Sequence, residues 1–475
     1  MSAYLGPTLL FVVVVLELCF SPATVVAAGS AVTHLPGYEG TLPFELETGY
    51  IGVGNKGEEV QLFYYFIKSE SNPNTDPLVV WLTGGPGCSG LWSITYDNGP
   101  LRFNKVEYNG SLPTLSLNTY GWTKVANIIF LDLPAATGFS YATTSRANQS
   151  NDIKTGFDGC QFVQKWLKEH PNFISNDLYV GGESYSGVLV PILTRFLSDG
   201  IEAGDTPWIN LKGYLLGNPA TVVIEEFNYQ IPYAHGMGLI SDDLYKSLER
   251  HCEGKYQIVE SSNSNCMQNV ATFYQWYSQL YESHILEPAC GGDPALTRRP
   301  FCHLGVEYQN LFDQRRSLGE LNNRITAKCR DHWYNLVSYW ANEQTVRDAI
   351  HIKKGTVDLW EFCNSNLSYT YNARDVTSYH AYLSTKGYRS LIYSGDHDPC
   401  IPFLSTLAWI KSLNYSIIND WKPWWIDDQI AGYTMTYSNQ MTFATVKGGG
   451  HTVPESAPHQ ALIMFTKWIQ NGGLL

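Results

Sequence analysis

The chain has 475 residues, of which 44% are hydrophobic and 16% are charged, a balance typical of a protein that buries a large core. With 31 Lys and Arg against 44 Asp and Glu, the formal net charge is −13, and the acidic residues are spread along the chain. This composition excludes a disordered chain and disfavours a nucleic-acid partner. The length is compatible with one α/β domain that carries a large insertion.

The chain begins with an apolar run, Leu9–Leu16, that is too short to span a bilayer. The small residues Val26-Ala27-Ala28 follow, as a signal peptidase requires. We therefore predict a signal peptide over residues 1–28, although no Lys or Arg precedes the run and Glu17 stands at its end. No later segment of the sequence is long and apolar enough to cross a membrane, so we expect no membrane association after cleavage.

Short runs of aliphatic and aromatic residues recur after this leader and predict the buried strands of a mostly parallel sheet: Leu78–Leu82, Ile128–Leu131, Leu178–Val180, Tyr214–Leu216, Leu391–Tyr393 and Met441–Val446. Apolar residues at helical spacing in Asp158–Glu169 and Val188–Leu197 predict helices that cover the sheet. Between about Pro219 and Arg347 this alternation stops, which indicates a cap inserted over the sheet. We predict one α/β domain over residues 29–475.

Cysteine usage favours an oxidising compartment. Of the ten cysteines, Cys19 falls in the leader and five lie in one polar region: Cys252, Cys266, Cys290, Cys302 and Cys329. Such crowding is typical of disulfides, and the odd number in the mature chain implies at least one free thiol. Zinc binding is the weaker alternative, because no pair among the five has a CxxC spacing, and we expect neither a metal nor a cofactor.

Two kinds of processing signal accompany the cysteines. N-glycosylation sequons stand at Asn109, Asn148, Asn366 and Asn414, and they act only in a chain that enters the secretory pathway. The pairs Arg298-Arg299 and Arg315-Arg316 lie in the most polar stretch of the cap, where cleavage would divide the protein into two chains.

A candidate nucleophile stands at a strand-to-helix turn. Residues 182–187, Gly-Glu-Ser-Tyr-Ser-Gly, directly follow the strand Leu178–Val180 and precede the helix that begins near Val188. Glycines on both sides permit the sharp, strained turn that holds the hydroxyl of Ser184 above a sheet. The sequence therefore predicts a nucleophile elbow at Ser184.

A serine hydroxyl needs a neighbouring base and a carboxylate that orients the base. In α/β-hydrolases these residues follow the serine, acid first and His second, on loops after the last strands. Asp396 follows the strand Leu391–Tyr393, and His451 follows the strand that ends at Val446, so we predict Asp396 as the acid and His451 as the base. His397 is the nearest rival for the base.

The oxyanion formed in acyl transfer needs preorganised backbone donors. Gly84-Gly85-Pro86-Gly87 ends the strand Leu78–Leu82, where a glycine-rich turn brings an N–H close to a substrate. We predict the N–H groups of Gly85 and Tyr185 as the donors. A plain tight turn is the alternative for the glycines.

Five blocks then occur in the order and spacing of one family: residues 81–89, 138–141, 182–187, 395–398 and 449–452. Together they resemble the serine carboxypeptidases, whose fold is that of the α/β-hydrolases, over essentially all of the mature chain. Two further blocks, residues 233–241 and 432–443, are similar to the plant serine carboxypeptidase-like acyltransferases.

This resemblance implies a 1-O-β-glucose ester as acyl donor, an alcohol as acceptor and a vacuolar location, with secretion from the cell as the alternative. It implies substrate-binding positions at Thr83, Gly84, Asp97 and Glu183. It also implies three disulfides: Cys88–Cys363, Cys252–Cys266 and Cys290–Cys329. Cys160, Cys302 and Cys400 would then remain unpaired.

Two of these positions bear on the substrate. In the peptidases an Asn stands at the position of Thr83 and binds the terminal carboxylate of the peptide together with the acidic residue before the nucleophile. A hydroxyl lacks the reach of an amide, so recognition of a free carboxylate should weaken. Glu183, in contrast, keeps the residue type of the peptidases.

The leading hypothesis is a glucose-ester-dependent acyltransferase that acts through a Ser184 acyl-enzyme. A serine carboxypeptidase with the same triad is the second hypothesis. The third is a catalytically inactive binding protein, which is disfavoured because each triad and oxyanion position holds a competent residue. The cap should determine the acyl group and the acceptor.

Overall fold

The computed structural model describes residues 29–54, 59–223, 225–289, 329–471 and 473–474. The predicted signal peptide over residues 1–28, both dibasic pairs, Cys290 and Cys302 lie outside these residues. Within the described parts of the chain, none of the helices has the length and hydropathy needed to cross a bilayer.

One large sheet forms the centre of the molecule. Its strands are β1 (Ser30–Val32), β2 (Leu46–Val53), β3 (Val60–Ile67), β4 (Leu78–Leu82), β7 (Asn127–Leu131), β8 (Tyr141–Ala142), β10 (Leu178–Glu183), β11 (Leu211–Gly217), β13 (Arg389–Gly395), β14 (Ile417–Ile426), β15 (Gln429–Tyr437) and β16 (Met441–Val446). Two small ribbons pair β5 (Leu101–Phe103) with β6 (Leu115–Leu117), and β9 (Ser150–Asn151) with β12 (Tyr369–Thr370).

The strand order is β1-β2-β3-β7-β4-β10-β11-β13-β16-β15-β14, with β8 beside β3. All neighbours from β7 to β16 are parallel, and both flanks are antiparallel. The six predicted strands are the six strands of this parallel centre, and the predicted α/β-hydrolase class is confirmed. The flanking strands were not predicted. In β2 and β14, residues such as Glu47, Gly49 and Asp420 break the continuous apolar runs that mark the centre, whereas the apolar run of β3 was a signal that was missed.

The described helices are α1 (Gly90–Tyr96), α2 (Asp152–Glu169), α3 (Ser186–Ala203), α4 (Glu226–Gly236), α5 (Asp242–Cys252), α6 (Ser264–Tyr277), α7 (Arg330–Asn342), α8 (Gln344–Ala349), α9 (Thr377–Thr385), α10 (Phe403–Ser412), α11 (Val453–Ser456) and α12 (Pro458–Asn471). Helices α2 and α3 include the two predicted helices and pack on one face of the sheet, and α1, α7 and α12 pack on the other.

The sheet is buried on both faces, and each face has its own core. In β4, Val79 and Trp81 join the core beneath α12, while Val80 and Leu82 join the core beneath α2 and α3. This alternation explains why the central strands read as unbroken apolar runs. Between β6 and β7, Trp122 is fully buried and stacks on Phe465 of α12 with a centroid distance of 4.1 Å. Such aromatic pairs contribute about 0.5–1.5 kcal/mol beyond the area they bury.

The predicted cap divides into two parts. Helices α4 to α6 share a small core of their own that includes Ile231, Leu248 and Phe273. Helices α7 and α8 return to the main core, where Trp340 and Val346 are buried. The structure therefore contains helices in the region where the sequence predicted an inserted cap without specifying its secondary structure, and the last part of the predicted insertion packs on the sheet domain.

The disulfides follow the resemblance in part. Cys88 is bonded to Cys363, and Cys252 is bonded to Cys266 within the cap. Cys329 and Cys400 are each in a disulfide whose partner is not among the described residues. The expectation that Cys400 is left over is therefore wrong, and the Cys290 half of the expected Cys290–Cys329 pair lies outside the described residues. Cys160 is a buried free thiol.

Candidate active site

The chain turns sharply at Ser184, between the end of β10 and the start of α3. The backbone of Ser184 adopts φ +56°, a left-handed conformation that costs energy for a residue with a Cβ. A Cβ on Gly187 would lie 2.3 Å from the carbonyl oxygen of Ala220, so the helix approaches that loop only because glycine stands there. The strained turn presents the hydroxyl of Ser184 at the carboxyl ends of the strands, as an elbow requires.

The hydroxyl of Ser184 meets the predicted base. His451 Nε2 lies 2.8 Å from Ser184 Oγ, and both side chains are buried. On the other side of the ring, His451 Nδ1 lies 2.8 Å from Oδ2 of Asp398. The backbone N–H of His451 donates to the carbonyl oxygen of Ser283 in the cap at 2.7 Å. Ser184, His451 and Asp398 therefore form a connected hydrogen-bonded chain.

The prediction of Asp396 as the acid is wrong. Asp396 Oδ1 lies 2.5 Å from His397 Nδ1 and accepts the N–H of Gly448, so it faces away from His451. The cause is the turn after β13, in which the N–H of Asp398 donates to the carbonyl oxygen of Gly395. Because of this turn, Asp398, the third residue after the strand, lies next to His451, and Asp396, the first residue, does not. The apolar residues after Asp398, Pro399-Cys400-Ile401, were a signal in the sequence for its burial.

Asp398 is fully buried and accepts hydrogen bonds from donors besides His451. Its Oδ2 accepts from Asn218 Nδ2 at 2.6 Å, and its Oδ1 accepts from the N–H of Cys400 at 2.8 Å. Burial lowers the pKa of His451, but the charge and hydrogen bond of Asp398 outweigh it, and the pKa of His451 is raised. Asp398 therefore stabilises the imidazolium that forms when His451 takes the proton of Ser184.

The predicted oxyanion donors lie on the two turns next to the nucleophile. Among the described residues, the N–H groups of Gly85 and Tyr185 have no hydrogen-bond acceptor. The Tyr185 hydroxyl donates to Asp152 at 2.5 Å, which anchors that turn, and the Cys88–Cys363 disulfide anchors the loop that contains Gly85. Both N–H groups are thus available to an oxyanion.

The predicted substrate-binding residues form a buried polar group beside the nucleophile. Thr83 Oγ1 is 2.9 Å from Ser93 Oγ, so the two hydroxyl groups are hydrogen-bonded to each other. Glu183 and Asp97 are both buried, and within the described residues neither carboxyl oxygen of Asp97 has a hydrogen-bond partner. Burial raises the pKa of Glu183 well above its usual range, and the charge of Asp97 raises it further. Burial likewise raises the pKa of Asp97, against the charge of Arg102.

We predict that Glu183→Gln will flatten the pH dependence of stability. Because the folded-state pKa of Glu183 is raised above its ordinary value of 4.5, its stabilising effect is complete below that value and is lost as the pH rises through the folded pKa. The melting temperature of the wild type should therefore fall from about pH 5 to pH 8, and more steeply than that of the variant. Scanning calorimetry measures both slopes. The exposed Glu260→Gln is the matched control, and equal slopes for wild type and Glu183→Gln would contradict the prediction.

One group of side chains near the base is close enough to be considered for metal binding: Asp398, Cys400 and His451. The sulfur of Cys400 is in a disulfide, and Asp398 and His451 are hydrogen-bonded to each other. We therefore assign Asp398 and His451 to the triad and Cys400 to a disulfide.

Two positioning residues, Asn218 and Asp152, were not predicted from the sequence. Asn218 bridges Asp398 and the N–H of Gly395, and Asp152 accepts from the hydroxyls of Tyr185 and Tyr369. Asn218 adopts φ +41° directly after β11, at the strand end where functional residues gather in this fold class. That place after a predicted strand was a usable signal, whereas Asp152 at the start of α2 gave none.

The comparisons with known proteins agree with this geometry. A family model described as serine carboxypeptidase matches residues 36–471. Serine carboxypeptidase-like 19 of Arabidopsis thaliana is 49% identical over 97% of this chain and 98% of its own length. Serine carboxypeptidase-like 11 of the same plant is 51% identical over 94% of this chain and 95% of its own.

Among solved structures, the prohormone-processing carboxypeptidase Kex1(delta)p of Saccharomyces cerevisiae aligns with a TM-score of 0.71 at 19% identity, over 90% of this chain and 91% of the yeast chain. At that identity the alignment shows the shared fold. With the matched family model and the plant relatives, it leads to one conclusion: this chain belongs to the serine carboxypeptidase family.

Proposed function

We propose that the protein is an acyltransferase that moves an acyl group from a 1-O-β-glucose ester to an acceptor alcohol through an acyl-enzyme at Ser184. The observation that carries the proposal is the engagement of Thr83 with Ser93 beside two buried acids, at the position where the peptidases recognise a free carboxylate.

Acylation follows from the geometry of the triad. Ser184 Oγ attacks the ester carbonyl as His451 Nε2 takes its proton, and Asp398 stabilises the imidazolium. The oxyanion accepts hydrogen bonds from the N–H groups of Gly85 and Tyr185. Collapse breaks the bond to the sugar oxygen, which takes the proton from His451 and leaves as glucose.

Deacylation follows the same chemical steps, with the acceptor alcohol as the nucleophile and Ser184 as the leaving group. His451 removes the proton of the alcohol, the alkoxide attacks the acyl-enzyme, and Ser184 leaves with the proton that His451 returns. Transfer competes with hydrolysis at this step, so the acceptor must occupy the place of the attacking water.

The buried acids suit a sugar ester as the donor. Burial raises the pKa of both Glu183 and Asp97, and a protonated carboxyl group donates to a sugar oxygen as well as to a free carboxylate, so the preference against a peptide rests on Thr83. A sugar hydroxyl donates to an ionised carboxyl group and accepts from a protonated one. The Thr83 hydroxyl, engaged with Ser93, cannot provide the two amide donors that an Asn would offer.

Product analysis tests the proposal. Wild type, Ser184→Ala and Thr83→Asn are each incubated with a 1-O-β-acylglucose and a panel of alcohols, and separately with a blocked dipeptide. We expect acylated alcohol and free glucose from the wild type, no product from Ser184→Ala, and a shift toward amino-acid release in Thr83→Asn. Thr385→Asn, on an exposed site, is the matched control.

Glu183 favours the second candidate, a serine carboxypeptidase, because it is the residue type of the peptidases at that position. Dominant release of the C-terminal amino acid by the wild type would establish that candidate and overturn the acyltransferase. Labelling by a fluorophosphonate that is present in the wild type and lost in Ser184→Ala separates both from an inactive binding protein.

We further propose that the chain enters the secretory pathway and resides in the vacuole, with the extracellular space as the alternative. Two disulfides among the described residues support an oxidising compartment. The sequon residues Asn109, Asn366 and Asn414 are exposed, where a glycan can be attached without disturbing the fold. Localisation of a fluorescent fusion that keeps residues 1–28 tests this route.

A further inference from the structure

A cavity lies apart from the catalytic triad, between two segments of the chain. It has a volume of about 480 Å³, within the range of about 300–1,000 Å³ that is usual for ligand pockets. Its walls come from two segments, residues 136–148 and 356–364. More than half of the lining side chains carry a hydroxyl or an amide group: Ser140, Tyr141, Thr143, Thr144, Ser145, Asn148, Thr356 and Asn364. Such a lining suits a molecule that carries many hydroxyl groups.

This cavity borders the loop that contains the oxyanion donor. Asn364 Nδ2 donates to the carbonyl oxygen of Ala136 at 2.9 Å. The backbone N–H of Asn364 donates to the carbonyl oxygen of Gly87 at 3.0 Å. Asn364 also follows Cys363, which is bonded to Cys88. The two walls are therefore joined to each other and to the loop.

Asn148, the first residue of a sequon, lines this cavity and is half-buried. In the folded protein the third residue of that sequon, Ser150, is buried, and its Oγ lies 3.0 Å from Thr155 Oγ1. Its N–H donates to the carbonyl oxygen of Ser368 in the pairing of β9 with β12. An oligosaccharide can therefore be attached only before this segment folds, and it would already be present when the cavity forms.

We propose that Asn148 carries an N-linked glycan whose first N-acetylglucosamine residues pack into this cavity. In the attachment, Asn148 Nδ2 forms a bond to C1 of the sugar, the bond from C1 to a lipid-linked diphosphate breaks, and one amide proton is released. The hydroxyl and amide groups of both walls then bind the sugar, which links residues 136–148 to residues 356–364.

The sequon at Asn109 is the internal control. Asn109, Gly110 and Ser111 are all exposed, and the N–H of Ser111 donates to Asn109 Oδ1 within an open turn. Asn109 does not line this cavity and lies in an exposed turn, so a glycosidase should reach a glycan attached there in the folded protein.

The test uses the full chain from a glycosylating host. Peptide N-glycosidase is applied under native conditions, and glycopeptide mass spectrometry follows each site over time. We expect release from Asn109 at least tenfold faster than from Asn148, and equal release after denaturation. A chain without a glycan at Asn148, or one that loses both glycans at the same native rate, would overturn the proposal.

A second experiment uses a variant to distinguish two causes of slow release: a sugar bound in the cavity, and restricted access of the glycosidase to the half-buried Asn148. Ser145→Trp places an indole in the cavity from an exposed position on its wall. The variant should keep the glycan at Asn148 but lose its protection, so that native release approaches the rate at Asn109. Protection that persists in Ser145→Trp would show that the cavity does not hold the sugar, and the proposal would fail.

Discussion

Replacing Asp398 with Asn will lower kcat/KM for an ester substrate by about 10³–10⁴-fold, the scale seen when the acid of such a triad is replaced by its amide. Asp398 accepts from His451, Asn218 and the N–H of Cys400, so an amide at this position places an NH₂ where a carboxylate oxygen is required. The variant also removes the charge that stabilises the imidazolium. Steady-state kinetics with a chromogenic ester measures the loss.

Asp396→Asn is the matched control, because it makes the same chemical change two residues away. Asp396 contacts His397 and the N–H of Gly448, so we expect a loss of less than about tenfold, as for a surface hydrogen bond. Circular dichroism of both variants checks that each is folded. A larger loss in Asp396→Asn than in Asp398→Asn would contradict the assignment of the acid.

Gly84→Ala will lower kcat/KM by about 10²-fold or more, since a displacement of about 1 Å at reacting groups has an effect of this size. A Cβ at Gly84 would lie 2.7 Å from Ser184 Cβ and 3.2 Å from Ser184 Oγ, so the added methyl must push the nucleophile from His451. The same methyl would lie 3.0 Å from the carbonyl oxygen of Glu183, on the backbone of the strained turn.

Gly236→Ala is the control for Gly84→Ala, because a Cβ there meets nothing within 4 Å. It should leave kcat/KM and the melting temperature close to those of the wild type. Fluorophosphonate labelling should be slowed in Gly84→Ala and unchanged in Gly236→Ala. Normal labelling of Gly84→Ala would show that the loop adjusts without moving the nucleophile.

The parts of the fold that could be predicted are those in which burial dictates residue type over several consecutive positions. In β4 every side chain is buried, so the strand reads as an apolar run, and Ser184 and His451 follow from their places after such runs. In β14, by contrast, Ile418 and Trp425 are exposed on an edge strand, and no alternation of apolar and polar residues marks it.

The choice between Asp396 and Asp398 depended on a turn that the sequence pattern does not specify. Both carboxylates follow the same strand, and a rotation of the chain over two residues decides which one is buried. The role of Asp152 was equally hard to predict. Its carboxylate accepts hydrogen bonds from the Tyr185 hydroxyl, 33 residues away in sequence, and from the N–H of Asn372, 220 residues away. Such contacts arise from packing between distant segments, and no local spacing encodes them.

The hydrogen bond from the N–H of His451 to the carbonyl oxygen of Ser283 joins the general base to the cap. Exchanging the cap between relatives to change the substrate would therefore alter turnover as well as selectivity, because the imidazole would lose or regain its backbone support with each exchange. Evolution of new substrate preferences in such a scaffold is expected to proceed first through side chains of the cap that leave the backbone at Ser283 in place.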